Sequence, residues 1–239
     1  MKKIFLPVVM LHLAGMLHAQ AVVDPDAAQK KVLDKAIPRI IQVLDQFNGR
    51  DWELTSDFYN GKPLIGLSSG VPLDIDQNFE RQYKTAENSE RFNRLLKPIY
   101  DRINELMKQQ PAPYDSILAL GDKMESLSNI TVYVYINREN LETHPDPKKD
   151  LSIPGAAFAH RDTGQYFQSE KGYSYYLGFG NWKAATWDAA HGWLHFNFIH
   201  PRHTPYIENI VVIFFGADDR VKELLNKVDW KILNDALTI

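Results

Sequence analysis

The first half of the chain carries apolar residues at the three- and four-residue spacing of amphipathic helices. A first helix is predicted from Asp24-Pro25-Asp26, where an N-cap aspartate precedes a proline whose missing N–H costs nothing. Because Pro38 lies within this stretch, we expect a kink or two short helices. Further helices are predicted for residues 87–110 and 114–127. The glycine- and proline-rich residues 50–78 are predicted to form a loop with one short strand near residues 64–67.

From residue 130 onward the apolar residues recur at every second position, which is the spacing of β-strands. In residues 130–136 isoleucine and valine alternate with Thr131, Tyr133 and Tyr135, so tyrosines occupy the second face of this strand. Residues 207–215 include a run that is apolar on both faces, which predicts a central strand covered on both sides. The other predicted strands are residues 173–179 and 193–199.

Helices followed by strands are typical of the α+β class. We therefore predict an N-terminal helical half, residues 24–128, packed on a mainly antiparallel β-sheet of residues 130–216 and closed by two short C-terminal helices within residues 218–237. Because the helical stripes need an apolar surface to cover them, residues 22–239 are predicted to form a single domain. Residues 137–172 form a long connection between strands, and connections of this length usually carry function.

Residues 1–21 show the order of a secretory signal peptide, with a positive start, an apolar run and small residues. Lys2 and Lys3 precede a 14-residue apolar run from Ile4 to Leu17, shorter than the ~20 residues that cross a bilayer as a helix. Ala19 and Ala21 each allow cleavage. We therefore predict that the mature protein is periplasmic or secreted.

Composition and charge exclude several classes of protein. The chain has no cysteine, so its fold depends on a packed core rather than on disulfides. The formal net charge is −3, and removal of Lys2 and Lys3 makes it −5, which gives no electrostatic basis for binding nucleic acid. No later apolar segment approaches the length of a membrane span. No cofactor is predicted. Gly66-Leu67-Ser68-Ser69-Gly70 matches the G-x-S-x-G pattern of a serine nucleophile, but Pro72 follows at once where that pattern requires a helix, so a glycine–serine loop is the preferred interpretation. Gly178-Phe179-Gly180 lacks the third glycine of a dinucleotide-binding motif.

Four histidines, His191, His195, His200 and His203, lie close together in the sequence. Imidazole is a common zinc ligand, so the turn at His200 and His203, with Glu208 nearby, is the candidate metal site. Strand geometry argues against the full set, because His191 and His195 would lie about 13 Å apart at ~3.3 Å per residue. We therefore predict that these histidines are hydrogen-bonded structural residues and that no metal is bound.

The candidates for acid–base chemistry are His160, Asp162 and His195. His160 and Asp162 flank Arg161 in the 137–172 connection, which gathers a base, a cation and an acid in one short segment. Neighbouring side chains usually point apart, so a charged turn is the alternative interpretation. Whether the protein is an enzyme stays open at this point.

Aromatic residues are dense between residues 166 and 198. Some of them must form the core. Others are interleaved with polar residues and are predicted to face outward, where amphipathic rings suit contact with a ligand or a protein. The predicted binding residues are Tyr175, Trp182, Trp187 and Trp193.

The leading hypothesis is a soluble exported binding or interaction module. It would recognise a small molecule, a glycan or a protein through the aromatic sheet face and the 137–172 connection. The first alternative is an envelope hydrolase with a histidine/carboxylate site, with or without a metal ion. The second alternative is a structural accessory protein.

Export predicts a shortened mature chain. Protein recovered from the cell envelope or the medium should begin at Gln20 or Val22, because signal peptidases cut after small residues. Intact-mass spectrometry measures this directly. Full-length protein confined to the cytoplasm would contradict the prediction.

Overall fold

The computed structural model of the protein describes residues 22–59, 61–67, 70–75, 79–142, 151–162, 173–182 and 185–238. The predicted signal peptide, residues 1–21, lies outside the described residues. Within them the protein combines helices with three β-sheets, and every strand pair is antiparallel. The predicted α+β class is confirmed.

The elements follow one another along the chain with these bounds. The strands are β1 (Val22–Val23), β2 (Trp52–Asp57), β3 (Ile65–Gly66), β4 (Phe79–Thr85), β5 (Asn129–Ile136), β6 (Asn140–Glu142), β7 (Phe158–Asp162), β8 (Tyr173–Gly180), β9 (Thr186–Asp188), β10 (Trp193–His195) and β11 (Asn209–Gly216). The helices are α1 (Ala27–Asp45), α2 (Lys97–Met107), α3 (Tyr114–Ser128) and α4 (Asp218–Lys227), with a π-helical segment at Phe92–Leu96 and a 3₁₀ helix at Trp230–Ala236. None of the described helices is both long enough and apolar enough to span a bilayer.

Strand β11 lies at the centre of a six-stranded sheet with the order β2-β4-β5-β11-β8-β7. Its side chains are buried on both faces. Ile210, Val212 and Phe214 belong to one hydrophobic core, whereas Val211 and Ile213 belong to another. The predicted central strand is confirmed.

Two strands of this sheet, β2 and β4, lie in the segment that the sequence analysis assigned to the helical half, and this assignment is corrected. Alternate side chains of β4 point into the core, but two of them, Arg81 and Thr85, are polar. The strand therefore lacks the apolar alternation that would have predicted it. Burial of Arg81 is tolerated because Asp45 and Asp57 neutralise its guanidinium, at N–O distances of 2.7 and 2.9 Å.

Helix α1 covers one face of the sheet with the predicted apolar stripe. Its N-cap is Asp26 rather than the predicted Asp24, and the Asp26 carboxylate accepts hydrogen bonds from the backbone N–H groups of Ala28 and Gln29. Pro38 lies inside one continuous helix, so the chain does not divide into two short helices there. Burial of the stripe outweighs the single backbone hydrogen bond that proline removes.

The opposite face of the sheet is covered by a small sheet with the order β6-β10-β9. Between the two sheets lies the second core, in which Trp182 makes edge-to-face contacts with Phe158 and Phe196, at ring-centroid distances of 5.0 and 4.9 Å. The six-stranded sheet is therefore the middle of three layers. Its strand β7 pairs with β8 at one edge of this sheet.

The remaining helices form a hairpin from the π-helical segment through α3. Leu96, Ile99 and Leu106 are buried, whereas α3 has no buried side chain. The hairpin therefore leaves much of its apolar surface open. At the C-terminal end, α4 and the 3₁₀ helix close the chain as predicted, and Asp229 caps the second of them.

Replacement of Phe214 by alanine tests the central position of β11. The Phe214 ring is fully buried and lies 5.5 Å from the Phe47 ring and 5.8 Å from the Trp230 ring. Phe214→Ala should lower the free energy of unfolding by about 3–5 kcal/mol, because the cavity cannot collapse between three layers. Urea denaturation measures the change, with Phe58→Ala at a 57 % exposed site as control. Similar small losses in both variants would contradict this architecture.

Candidate functional site

The candidates for acid–base chemistry do not meet within the described residues. His160 is 0 % exposed and stacks against Tyr176, so it presents no solvent-facing nitrogen to a substrate. His195 lies on the small sheet, where its Nδ1 is 2.5 Å from Oδ1 of Asn140. The side chain of Asp162 is outside the described parts, so its pairing with His160 stays a prediction.

The metal candidates separate into a pair and a single residue. Nδ1 of His200 lies 3.0 Å from the buried carboxylate of Glu208, which also accepts hydrogen bonds from the backbone N–H groups of Ile199 and His200. His203 is exposed and is not among these contacts. In the part of the chain that the structure describes, no three His, Cys, Asp or Glu side chains converge as a metal site requires. The His200–Glu208 contact closes the turn before β11.

The predicted aromatic binding residues lie in different environments. Tyr175 and Trp182 are each 1 % exposed and belong to opposite cores, so neither presents a surface to a ligand. Trp187 is half-buried against the second core, and Trp193 is 38 % exposed on the small sheet. The small sheet covers Trp182, whereas Tyr175 is buried in the core beneath the helices, so the prediction of an open aromatic face does not hold for these two rings.

Half-buried aromatic side chains remain at the surface on β5, at Tyr133 and Tyr135, whose rings stack at 6.2 Å. Next to them a cleft of about 270 Å³ opens at the C-terminal end of the strand. We call it the Tyr135 cleft. It is lined by Val71, Asp74, Ile75, Tyr135, Ile136, Asn137, Arg138, Glu139 and Asn140.

Asn137 fixes the backbone that shapes this cleft. It adopts φ +52°, a left-handed conformation that asparagine tolerates better than most residues. Its buried amide donates hydrogen bonds to the carbonyl oxygens of Leu73 and Tyr206, at 3.0 and 2.7 Å, and its Oδ1 accepts one from the N–H of Glu208 at 2.8 Å. One side chain therefore ties three segments of the chain together.

Charged groups face the Tyr135 cleft without being neutralised there. The Arg138 guanidinium lies 5.0 Å above the Tyr135 ring, and its Nε donates to the carbonyl oxygen of Asn140 at 3.0 Å. Among the described residues, the carboxylates of Asp74 and Glu139 have neither a cation nor a hydrogen-bond donor as partner. The cleft thus offers two free acceptor groups beside one held guanidinium.

Both tyrosines keep their phenolic protons at neutral pH. Burial raises the pKa of Tyr135, and the nearby Glu80 adds to this increase, although Arg138 acts in the opposite direction. Burial is also the main reason for the raised pKa of Tyr133, assisted by Glu80. Their hydroxyl groups are therefore neutral hydrogen-bonding groups beside the cleft.

Comparisons with known proteins give no guide to the role of the cleft. No family model, no curated protein and no solved structure matches the chain. The side chains that line the Tyr135 cleft therefore give the only indication of what it binds. Carboxylates, a guanidinium and an aromatic ring are groups that bind a polar ligand, and no paired nucleophile and base occur in the described lining.

Sequence reasoning missed Asp74, Arg138, Glu139 and Asn140 as site residues. Two signals pointed towards them. The alternation in residues 130–136 placed Tyr133 and Tyr135 together on the second face, and the 137–172 connection was singled out as a recognition segment. Asp74 gave no local signal, because only the folded chain brings it to this connection.

Asn137 provides a test of how the cleft is built. Asn137→Ala should lower the free energy of unfolding by about 2–4 kcal/mol, because it leaves buried backbone groups unpaired and keeps a left-handed φ. Asn137→Gly removes the same hydrogen bonds but relieves the backbone, so its loss should be about 1 kcal/mol smaller. Thermal and urea denaturation measure both variants. A larger loss for glycine than for alanine would show that the backbone conformation is not the constraint.

Proposed function

We propose that the protein is an exported binding protein that takes a neutral carbohydrate in the Tyr135 cleft. The observation that carries the proposal is the pair of carboxylates, Asp74 and Glu139, that have no partner among the described residues and face the same cleft as the Arg138 guanidinium. The export part rests on the order of charged, apolar and small residues at the N-terminus.

Hydrogen-bonding capacity favours a polyhydroxyl ligand. Ionised carboxylates only accept hydrogen bonds, and a guanidinium only donates them. A sugar hydroxyl does both, so one ring satisfies Asp74, Glu139 and Arg138 together. An anionic ligand would be repelled by the two acids, and a simple cation would leave Arg138 unused.

The apolar part of the lining suits the other face of a sugar. Val71, Ile75 and Ile136 line the cleft beside the Tyr135 ring. Pyranose rings present C–H groups between their hydroxyls, and these groups pack on aliphatic and aromatic surfaces. The volume of about 270 Å³ is just below the ~300 Å³ at which the usual range of ligand pockets begins, so the cleft accommodates a single sugar unit or the end of a chain.

Binding of free sugars tests the proposal. A panel of neutral mono- and disaccharides is screened against the mature protein by saturation-transfer NMR, and the strongest binder is titrated by calorimetry. Asp74→Asn and Glu139→Gln should each weaken binding by about 10- to 100-fold, because a charge-assisted hydrogen bond is lost. Asp115→Asn, an exposed acid on α3, is the matched control and should bind normally.

Two results would contradict the proposal. One is the absence of binding across the panel by protein with an intact thermal transition. The other is binding that is unchanged in both Asp74→Asn and Glu139→Gln. Either result would favour the alternative hypothesis of a structural accessory protein.

A second candidate function, hydrolysis, is favoured by the His200–Glu208 contact. A carboxylate at Nδ1 is the arrangement that orients an imidazole as a general base, and the His200 side chain is 27 % exposed. The described residues around it supply no third metal ligand. Turnover of a nitrophenyl ester that disappears in His200→Ala would favour this function over carbohydrate binding.

A further inference from the structure

A second cleft, of about 420 Å³, lies between the chain after α1, the start of β2, the segment before α2, and α4. We call it the Trp52 cleft. Trp52 pairs with Thr85, next to the pairing of Lys84 with Asn129 at the beginning of β5, whereas the Tyr135 cleft lies at the end of β5. The two clefts are therefore roughly 25 Å apart, the length of an eight-residue strand at ~3.3 Å per residue.

The charge of the Trp52 cleft differs from that of the chain. Its lining has five cationic and three acidic side chains, a net charge of +2 in a protein whose formal net charge is −3. A concave surface of one sign concentrates its field and attracts ligands of the opposite charge. The cationic residues are Arg50, Arg91, Arg94, Arg220 and Lys227.

The inner wall of this cleft is a rigid stack. The Trp52 ring, 9 % exposed, has the Arg91 guanidinium 4.8 Å and the Arg220 guanidinium 5.8 Å from its centroid. Arg91 donates two hydrogen bonds to the carboxylate of Asp219. Arg220 donates to the Phe47 carbonyl oxygen at 2.5 Å and forms a 2.9 Å ion pair with Glu223.

Two of the acids in the lining are committed to these internal pairs. Burial would raise the pKa of Asp219, but the hydrogen bond and the charge of Arg91, together with two backbone hydrogen bonds, outweigh it and hold this pKa below its usual value. The hydrogen bond from Lys227 is the main cause of the lowered pKa of Glu223, with Arg220 adding to it. Both acids are therefore ionised at neutral pH and neutralise the residues they contact.

Arg220 and Lys227 share the carboxylate of Glu223, and the third acid of the lining, Asp51, is outside these pairs. The cations outside these pairs are Arg50 and Arg94. Both arginine side chains are exposed, and within the described parts of the chain neither has an ion-pair or hydrogen-bond partner. Arg94 lies in the π-helical segment Phe92–Leu96, which begins directly after the anchored Arg91. Single π-helical turns are rare and occur frequently at functional sites, because they displace side chains from the ordinary helical register.

We propose that the Trp52 cleft binds a small hydrophilic dianion, a phosphate monoester or a dicarboxylate, through Arg50 and Arg94. Guanidinium groups match the paired oxygens of both ligand types. Two charges on the ligand balance the net charge of +2 in the lining. A polar ligand fits because the apolar members, Trp52 and Leu224, are almost fully buried.

The test uses calorimetric titration of the mature protein at pH 7.5 and low salt with inorganic phosphate, succinate and acetate. Phosphate, succinate or both should bind at least about tenfold more tightly than acetate, because the monoanion engages one guanidinium. Arg50→Gln and Arg94→Gln should each weaken dianion binding by about tenfold or more. Arg202→Gln removes another exposed arginine, which lies outside this cleft and has no ion-pair partner in the described part of the chain, and it should leave binding unchanged.

Selectivity for phosphate over succinate identifies a phosphate ester as the ligand class, and the reverse identifies a dicarboxylate. Equal binding of acetate and the dianions would overturn the proposal. So would dianion binding that survives in both arginine variants, or no binding of any probe at 10 mM. Sugar binding at the Tyr135 cleft should not change in Arg50→Gln, so failure here is separate from failure of the proposed function.

Discussion

Burial of β11 on both faces is the constraint on which the architecture depends. A strand with Phe214 on one side and Val211 on the other cannot be stable unless each face is covered. Helix α1 and the C-terminal helices cover one face, and the small β6-β10-β9 sheet covers the other. The second requirement explains why so many aromatic residues follow residue 173: Trp182 and Phe196 fill the space between two sheets and do not form an open recognition face.

At the edge of the sheet where β5 ends and β11 begins, the buried side chains are polar rather than apolar. Asn137, Glu208 and Asn209 are all almost fully buried at this edge, and their side chains bond to backbone groups of other segments. Buried amides and carboxylates are stable only when such partners are present. The same network that satisfies them sets the path of residues 137–140, and this path exposes Arg138 and Glu139 to the Tyr135 cleft.

The two clefts differ in which of their charged side chains are paired within the protein. At the Tyr135 cleft, Asp74 and Glu139 stay unpartnered among the described residues, which suits a ligand with many hydroxyl donors. At the Trp52 cleft the buried arginines are neutralised by their own carboxylates, and the excess positive charge lies on exposed side chains. The two clefts are ~25 Å apart, which is about three times the Debye length of ~8 Å at physiological ionic strength. A charge substituted in one cleft is therefore screened from the other, and each site can be tested separately.

The α+β class, the central position of β11 and the stripe of α1 could be predicted from the sequence, because each follows from local order. The stripe of α1 repeats with the helical period, the run in β11 is apolar on both faces, and the class follows from helices preceding strands. The sequence also placed Tyr133 and Tyr135 on one face of β5. It did not predict β2 or β4, since the inward positions of β4 include Arg81 and its burial depends on acids from two other segments. Nor could it decide which aromatic residues are covered. Only the tertiary structure lays the small sheet over Trp182 and brings Asp74 beside Arg138, because these contacts join residues far apart in the chain and leave no periodic signal.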